Sequence, residues 1–399
     1  MTRDSQSKEE TFKAIRKVFG IIFVVLILYL IITCFYGINQ AQQASSSGSS
    51  PWPTETAQPI LTPTSLPFSA QTTNSFPHPG EVFACTTNDN ERGNSDHGTI
   101  SFIDTSNDAV TAVVRVGTDP YGIAISPDGK KVYVTDLKAN NVLVIDTATG
   151  TLIDSVPVET SPVGIAVTPD GKKVYVANNK GNSVSVIDTA INKVVHTFDE
   201  FDGSFGVAVT PDGREVYVTN SDSSTVSIID TATNRIYVVQ GIIDPGGITV
   251  TPDGKKVYVT SGNTNTVYVI DTVTKKFVNV TVGSNPTGIT VTPDGKKAYV
   301  ANDGGKINSS ISVIDTTTNK VIDTVPLIQG PYGIAVTPDG KKVYAAIREC
   351  DAVFIIDAET DKQVDNVYVK GSNPKAFGQF IGTYSLSTTP STTPTPGNS

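Results

Sequence analysis

Cysteine, methionine, tryptophan and histidine are almost missing from this 399-residue chain, which holds three, one, one and three of them. The three cysteines form neither a Cys-x-x-Cys-His pattern nor pairs at zinc spacing, which excludes covalent haem attachment and a zinc finger. His78, His97 and His196 are far apart, and no Gly-x-Ser-x-Gly elbow or phosphate-binding glycine loop accompanies them. The residues therefore present no catalytic set, no cofactor-binding residues and no metal ligands. The expectation is a protein that is not an enzyme and carries no cofactor. An excess of positive charge is also lacking. The formal net charge is −9, which argues against nucleic acid as a partner.

One long apolar run is present. Residues 18–38, VFGIIFVVLILYLIITCFYGI, carry no charge. At 1.5 Å per residue they are long enough to cross a ~30 Å hydrocarbon core. Residues 1–17 hold five Lys/Arg against three Asp/Glu, whereas the next forty after Ile38 hold only Glu55. The positive-inside rule then places the N-terminus in the cytoplasm and everything after Ile38 outside. The reading is an uncleaved, single-pass signal anchor in the cell membrane. A cleaved signal, a pilin-like cut after Gly20 and a buried core helix are the alternatives. Residues 39–80 and 383–399 are rich in Ser, Thr and Pro and nearly uncharged. Such segments bury too little apolar surface to offset their ordering entropy, so they read as a disordered stalk and tail.

Between them lies a repeat. Pro-Asp-Gly begins at Pro127, Pro169, Pro211, Pro252, Pro293 and Pro338, in steps of 42, 42, 41, 41 and 45 residues. Ile-Asp-Thr/Ala occurs seven times, at Asp104, Asp146, Asp188, Asp230, Asp271, Asp315 and Asp357. Each unit reads as four short strands. Gly164-Ile-Ala-Val is followed by a Pro-Asp-Gly turn, in which proline presets φ and glycine supplies φ > 0. Then come Lys173-Val-Tyr-Val-Ala, Ser183-Val-Ser-Val-Ile and Lys193 to Phe198. A four-stranded antiparallel unit of this period is a β-propeller blade. The Gly- and Ala-rich first strand suits the crowded position next to the axis.

Six turns against seven Ile-Asp units imply a split blade. The N-terminal copy, from Val82, supplies three strands of blade one. Asn373-Pro-Lys-Ala-Phe-Gly-Gln-Phe-Ile, near the C-terminus, supplies its inner strand. The prediction is an all-β, seven-bladed propeller over residues 81–382, with the recurrent tyrosines (Tyr133, Tyr175, Tyr217, Tyr258, Tyr299, Tyr344) packing between blades.

Tyr217-Val-Thr-Asn, together with Gly-Ile-Ala-Val-Thr-Pro-Asp-Gly-Lys-Lys-Val-Tyr-Val and Val-Ser-Val-Ile-Asp-Thr, resembles the YVTN β-propeller repeat family. The pattern is similar to archaeal surface-layer propeller proteins over roughly 82–382. That resemblance implies an exported cell-surface module for binding, adhesion or envelope scaffolding. Its partners would be cell-surface proteins or glycans. The alternative is an exported hydrolase, lactonase-like, or an oxidoreductase with its site at the channel mouth.

Repeated positions build blades, so function is sought where equivalent positions differ. The residue inside each Pro-x-Gly entry to an inner strand is Tyr121, Val163, Phe205, Gly246, Thr287, Tyr332 and Lys375. Tyr121, Tyr332, Lys375 and Phe205 form the candidate ligand face, aromatic and cationic, suited to sugar faces or protein anchors. Asp89, Glu91, Asp96 and His97 lie in a long loop, residues 87–98, without diagnostic cation-ligand spacing. Cys85 and Cys350 fall on neighbouring blades, a candidate disulfide across the ring closure. Asn279-Val-Thr and Asn308-Ser-Ser are acceptor sequons for N-glycosylation.

Overall fold

The computed structural model describes residues 75–88, 97–305, 308–369 and 373–385. The anchor segment 18–38, most of the stalk and tail, and most of the 87–98 loop lie outside them. Among the described residues no helix is long and apolar enough to cross a membrane.

The described residues form seven four-stranded antiparallel sheets, a seven-bladed propeller. Blade two is typical. It runs outward from the axis as Pro120–Ile125, Lys131–Asp136, Asn141–Asp146 and Leu152–Pro157. The two middle strands are buried almost throughout, while the outermost strand is largely exposed. Blade one is the split blade. Its inner strand, Ile381–Thr383, pairs antiparallel with Val82–Asn88, so the two ends of the domain meet in one sheet. Closure removes the free edge that an open ring would leave.

Each Pro-Asp-Gly turn is locked by its own side chains. In blade three the Thr168 hydroxyl donates to Asp170 at 2.6 Å, and the Lys172 amide donates to the same oxygen at 3.0 Å. Gly171 takes φ 70°, which a side chain would resist. The recurrent tyrosines are fully buried and bridge blades. Tyr258 donates to Asn319 at 3.0 Å and Tyr299 to Asp361 at 2.5 Å. At the seam Tyr344 bonds Asp108, and Lys342 pairs with the same carboxylate at 2.6 Å. Every such partner sits at a positive φ in the turn before an outer strand, where Asn and Asp are tolerated.

The threonine of the Tyr-Val-Thr motif has a parallel task. Thr135 donates to the carbonyl of Val163 at 3.0 Å, Thr219 to Gly246 at 2.9 Å and Thr260 to Thr287 at 2.7 Å. Each bond runs to the variable entry residue of the next blade, so the ring of entry carbonyls is pinned from below.

The predicted C-terminal inner strand differs from expectation. Pro374 bridges Asn88, as Pro286 pairs with Asn302, but strand geometry resumes only at Ile381. Pro374 to Ile381 takes seven steps where Pro286 to the equivalent Val291 takes five. The two extra residues force the chain off the sheet and toward the axis.

The candidate disulfide is not formed, because Cys85 and Cys350 are both free thiols. Cys85 lies in the middle of a core strand of blade one, fully buried. Cys350 lies in the turn after Lys342–Ile347 and packs against a different cluster, that of blades six and seven. Burial pushes both thiols above their ordinary range, Cys85 the more strongly.

Candidate functional site

The variable entry residues reach the mouth of the channel because of a β-bulge. In blade three Pro162 pairs with Asn178 and Ile165 with Val176, so the inner strand carries one extra residue. The same shift occurs in the inner strands that begin at Pro120, Ser204, Pro245, Pro286 and Pro331. A bulge bends the strand and re-aims a side chain. The glycine after each variable residue is dictated by packing. A Cβ at Gly122 would collide with the carbonyl of Val163, one at Gly164 with Phe205, and one at Gly288 with Tyr332.

The structure brings together all four residues of the expected ligand face. Tyr121 and Tyr332 meet hydroxyl to hydroxyl, their rings edge to face at 5.9 Å. Phe205 joins Tyr121 edge to face at 6.4 Å. Lys375 is only 6% exposed and lies 4.8 Å over the Tyr121 ring, with Asp119 at 3.4 Å from its ammonium. The face is not an open platform, however. The displaced C-terminal segment drops Phe377 into its centre, against Phe205 at 5.2 Å, Tyr332 at 6.0 Å and Tyr121 at 6.2 Å. Its carbonyl accepts the Ile123 amide at 2.9 Å.

Phe377 closes one end of the central channel. Below it lies a cavity of about 600 Å³, walled by inner strands such as Ile165, Val207, Ile248 and Ile289 and bounded below by the prolines of the turns. Among the described residues no charged side chain lines that cavity.

Four residues of the mouth, Phe377, Asp119, Arg348 and Asp303, were not singled out in the sequence. Phe377 hid in a copy whose register is broken. Asp119 precedes the entry proline. Arg348 is the first residue past the strand Lys342–Ile347, where the corresponding positions are Leu137, Asn179, Ser221, Gly262 and Asp303. Comparing that second variable position would have exposed the single cation among them. Arg348 lies 5.0 Å over the Tyr332 ring and donates from Nε to Asn373 at 3.2 Å.

The environment separates the two hydroxyls. Burial pushes the Tyr121 phenol well up, and Tyr332 beside it adds to the shift. Burial also raises Tyr332, but the Tyr121 hydrogen bond and the charges of Arg348 and Lys375 act the other way. Either hydroxyl can donate to the other, and the two cations lie closest in effect to Tyr332. The charge of Asp303 raises Tyr332, and its carboxylate rests against Gly330.

The remaining expectations fall elsewhere. Asn279 is exposed on the outer strand Phe277–Thr281, and Asn308 is exposed in a turn ahead of Ser310–Asp315. Asp89, Glu91 and Asp96 are outside the described residues. Among the described residues no group of three or more His, Cys, Asp or Glu is placed to hold a metal ion. His78 lies at the end of the stalk segment and His196 meets Phe198 edge to face at the outer edge of blade three, so these two histidines do not converge.

Comparison with known proteins adds a family signal. Residues 74–199 match the model of the SMP-30/Gluconolactonase/LRE-like region, about a third of the chain, covering the N-terminal strands of blade one and all of blades two and three. No curated protein matches. Among solved structures, hydrazine synthase of Kuenenia stuttgartiensis aligns with TM-score 0.58 and 25% identity, over 64% of this chain and 88% of its own. A functionally unknown protein from Desulfotomaculum acetoxidans gives TM-score 0.61 and 17% identity, over 74% and 99%. A protein from Bacteroides uniformis, described as a candidate 6-phosphogluconolactonase, gives TM-score 0.61 and 17% identity, over 74% and 98%. At such identities the last two carry the fold alone. The match of residues 74–199 to the gluconolactonase-like model overturns the expectation of a domain without catalysis, and the described residues form a seven-bladed propeller.

Proposed function

We propose that the protein is a lactonase-like hydrolase of small cyclic or open esters, with its site at the channel mouth above Phe377. The observation that carries this reading is the gluconolactonase-like match of residues 74–199, a span that contains Asp119 and Tyr121 of the mouth cluster. The chemistry of the cluster supports it. Ester hydrolysis needs a base for water and donors for the developing oxyanion. Tyr332, whose neutral phenol is favoured by burial, would donate to the carbonyl oxygen. Asp303, which has no ion-pair partner among the described residues, would take the proton of the attacking water and return it to the leaving alkoxide. Lys375, held by Asp119, adds positive potential under the tyrosine pair. The apolar run 18–38, with its flanking charges, would hold this domain outside the membrane on its Ser/Thr/Pro-rich stalk. The resemblance to surface-layer propellers supports the same location.

The test is hydrolysis of a panel of aldonolactones and aryl esters by the full chain, followed by pH-stat. Turnover above the buffer rate is expected for at least one lactone. Loss of an oxyanion donor typically costs on the order of 10²–10³ in kcat and loss of a general base about 10²–10⁴, which are the falls expected for Tyr332→Phe and Asp303→Asn. A rate equal to buffer across the panel, or full activity in both variants, would sink the reading.

A further inference from the structure

We infer that the mouth contains an oxyanion subsite, centred on the guanidinium of Arg348, that takes the carboxylate or phosphate group of a small ligand. It shares the mouth with the hydrolase reading but goes beyond it, since binding and not turnover carries it.

Arg348 is half-buried, and the one hydrogen bond of its side chain among the described residues runs from Nε to Asn373. A guanidinium has five N–H donors in a planar fork. The four on its terminal nitrogens meet no acceptor among the described residues, and no carboxylate there pairs with them. The neighbouring acids do not fill the gap. Asp119 is taken by Lys375 at 3.4 Å and Lys138 at 3.5 Å. Asp136 is taken by the Thr118 amide at 2.6 Å, the Thr118 hydroxyl at 2.9 Å, the Asp119 amide at 3.0 Å and the Ala139 amide at 3.2 Å. Asp303 rests against Gly330 and makes no ion pair with Arg348.

A cation withdrawn from water without a partner is costly. Three half-buried lysines are held by carboxylates, Lys297 with Asp361 at 2.7 Å, Lys275 with Glu215 at 2.7 Å and Lys342 with Asp108 at 2.6 Å, while Lys131 and Lys256 donate to backbone carbonyls. Arg348 has no such carboxylate among the described residues, and it lies over Tyr332 at the channel mouth. Its orientation is fixed by the Tyr332 face and by Asn373, so the fork is preorganised. A planar fork matches the paired oxygens of a carboxylate or phosphate, which a lysine does not. The Tyr332 hydroxyl under it supplies a further donor to the same group.

The experiment is calorimetric titration of the full chain with gluconate, glucose 6-phosphate, inorganic phosphate and uncharged glucose. A near-UV tyrosine difference spectrum is recorded in parallel. Binding of gluconate or glucose 6-phosphate is expected, with a tyrosine signal and without detectable glucose binding. Which of the two binds identifies carboxylate or phosphate as the source, and inorganic phosphate alone would point to the free ion. Arg348→Gln should weaken binding at least tenfold. Arg348→Lys, which keeps charge and loses the fork, should fall between, and it decides the matter if the glutamine variant does not fold. Equal affinity in wild type and both variants, or no anion bound by the wild type, overturns the inference. Hydrolysis of a neutral lactone without anion binding would remove the subsite and leave the hydrolase reading. Anion binding without hydrolysis of any ester would do the reverse.

Discussion

Replacing Phe377 with alanine tests whether the displaced C-terminal segment is a structural plug. The ring is 6% exposed and touches three aromatic rings at centroid distances of 5.2–6.2 Å. Truncating a buried phenylalanine costs about 3–5 kcal/mol. The lower end applies here, because the vacated space opens onto a cavity of about 600 Å³ that water can enter. Aromatic pairs contribute about 0.5–1.5 kcal/mol each beyond area, so three of them account for a large part of the ~3 kcal/mol expected. Urea denaturation followed by far-UV circular dichroism reads the loss as a lower midpoint at unchanged slope. A cycle with Phe205→Ala should give a coupling of about 0.5–1.5 kcal/mol, since those two rings touch. A total loss below about 1 kcal/mol, or no coupling, would refute the claim that Phe377 packs as a plug.

The turn aspartates set the acid limit. Hydrogen bonds from Thr168, Thr210, Thr251 and Thr292 hold Asp170, Asp212, Asp253 and Asp294 below the usual carboxylate range. A depressed folded value gives stability that is present above the unfolded pKa near 3.9 and lost as pH falls through the folded one. Acid melts should show Tm falling only below about pH 4, and Thr292→Val should raise that edge. Burial lifts Tyr133, Tyr175, Tyr217, Tyr258, Tyr299 and Tyr344. Their stabilisation is complete below the unfolded value near 10 and is lost as pH rises beyond it. Titration at 295 nm should leave these six protonated past pH 10 until the fold opens. Asp108→Ala removes the shared partner of Lys342 and Tyr344 at the ring seam. It should cost about 1–3 kcal/mol, since a buried hydroxyl loses its bond while the half-exposed lysine regains water. Chemical denaturation measures it, against Asp323→Ala on an exposed strand as control. Native alkylation read by peptide mass spectrometry should label Cys350 and spare Cys85 until the chain unfolds.

The blade architecture was legible in the sequence because it is a local property repeated in register. A Thr-Pro-Asp-Gly turn closes through its own side chains. A Lys-Val-Tyr-Val strand buries the same positions in every copy, and six turns against seven Ile-Asp units disclose a split blade. The variable entry positions were also legible, since a departure from a repeat stands out, and Tyr121, Tyr332, Phe205 and Lys375 do meet. Tertiary structure alone decided what lies between them. Two extra residues after Pro374 break the register that made the other copies readable, and only ring closure determines that the slack carries Phe377 onto the axis. Nor does the chain order reveal that Arg348, Asp119 and Asp303, from three different blades, surround one tyrosine pair. Sequence periodicity specifies how each blade folds upon itself. The site lies where blades distant along the chain converge, and that convergence is a consequence of closing the ring.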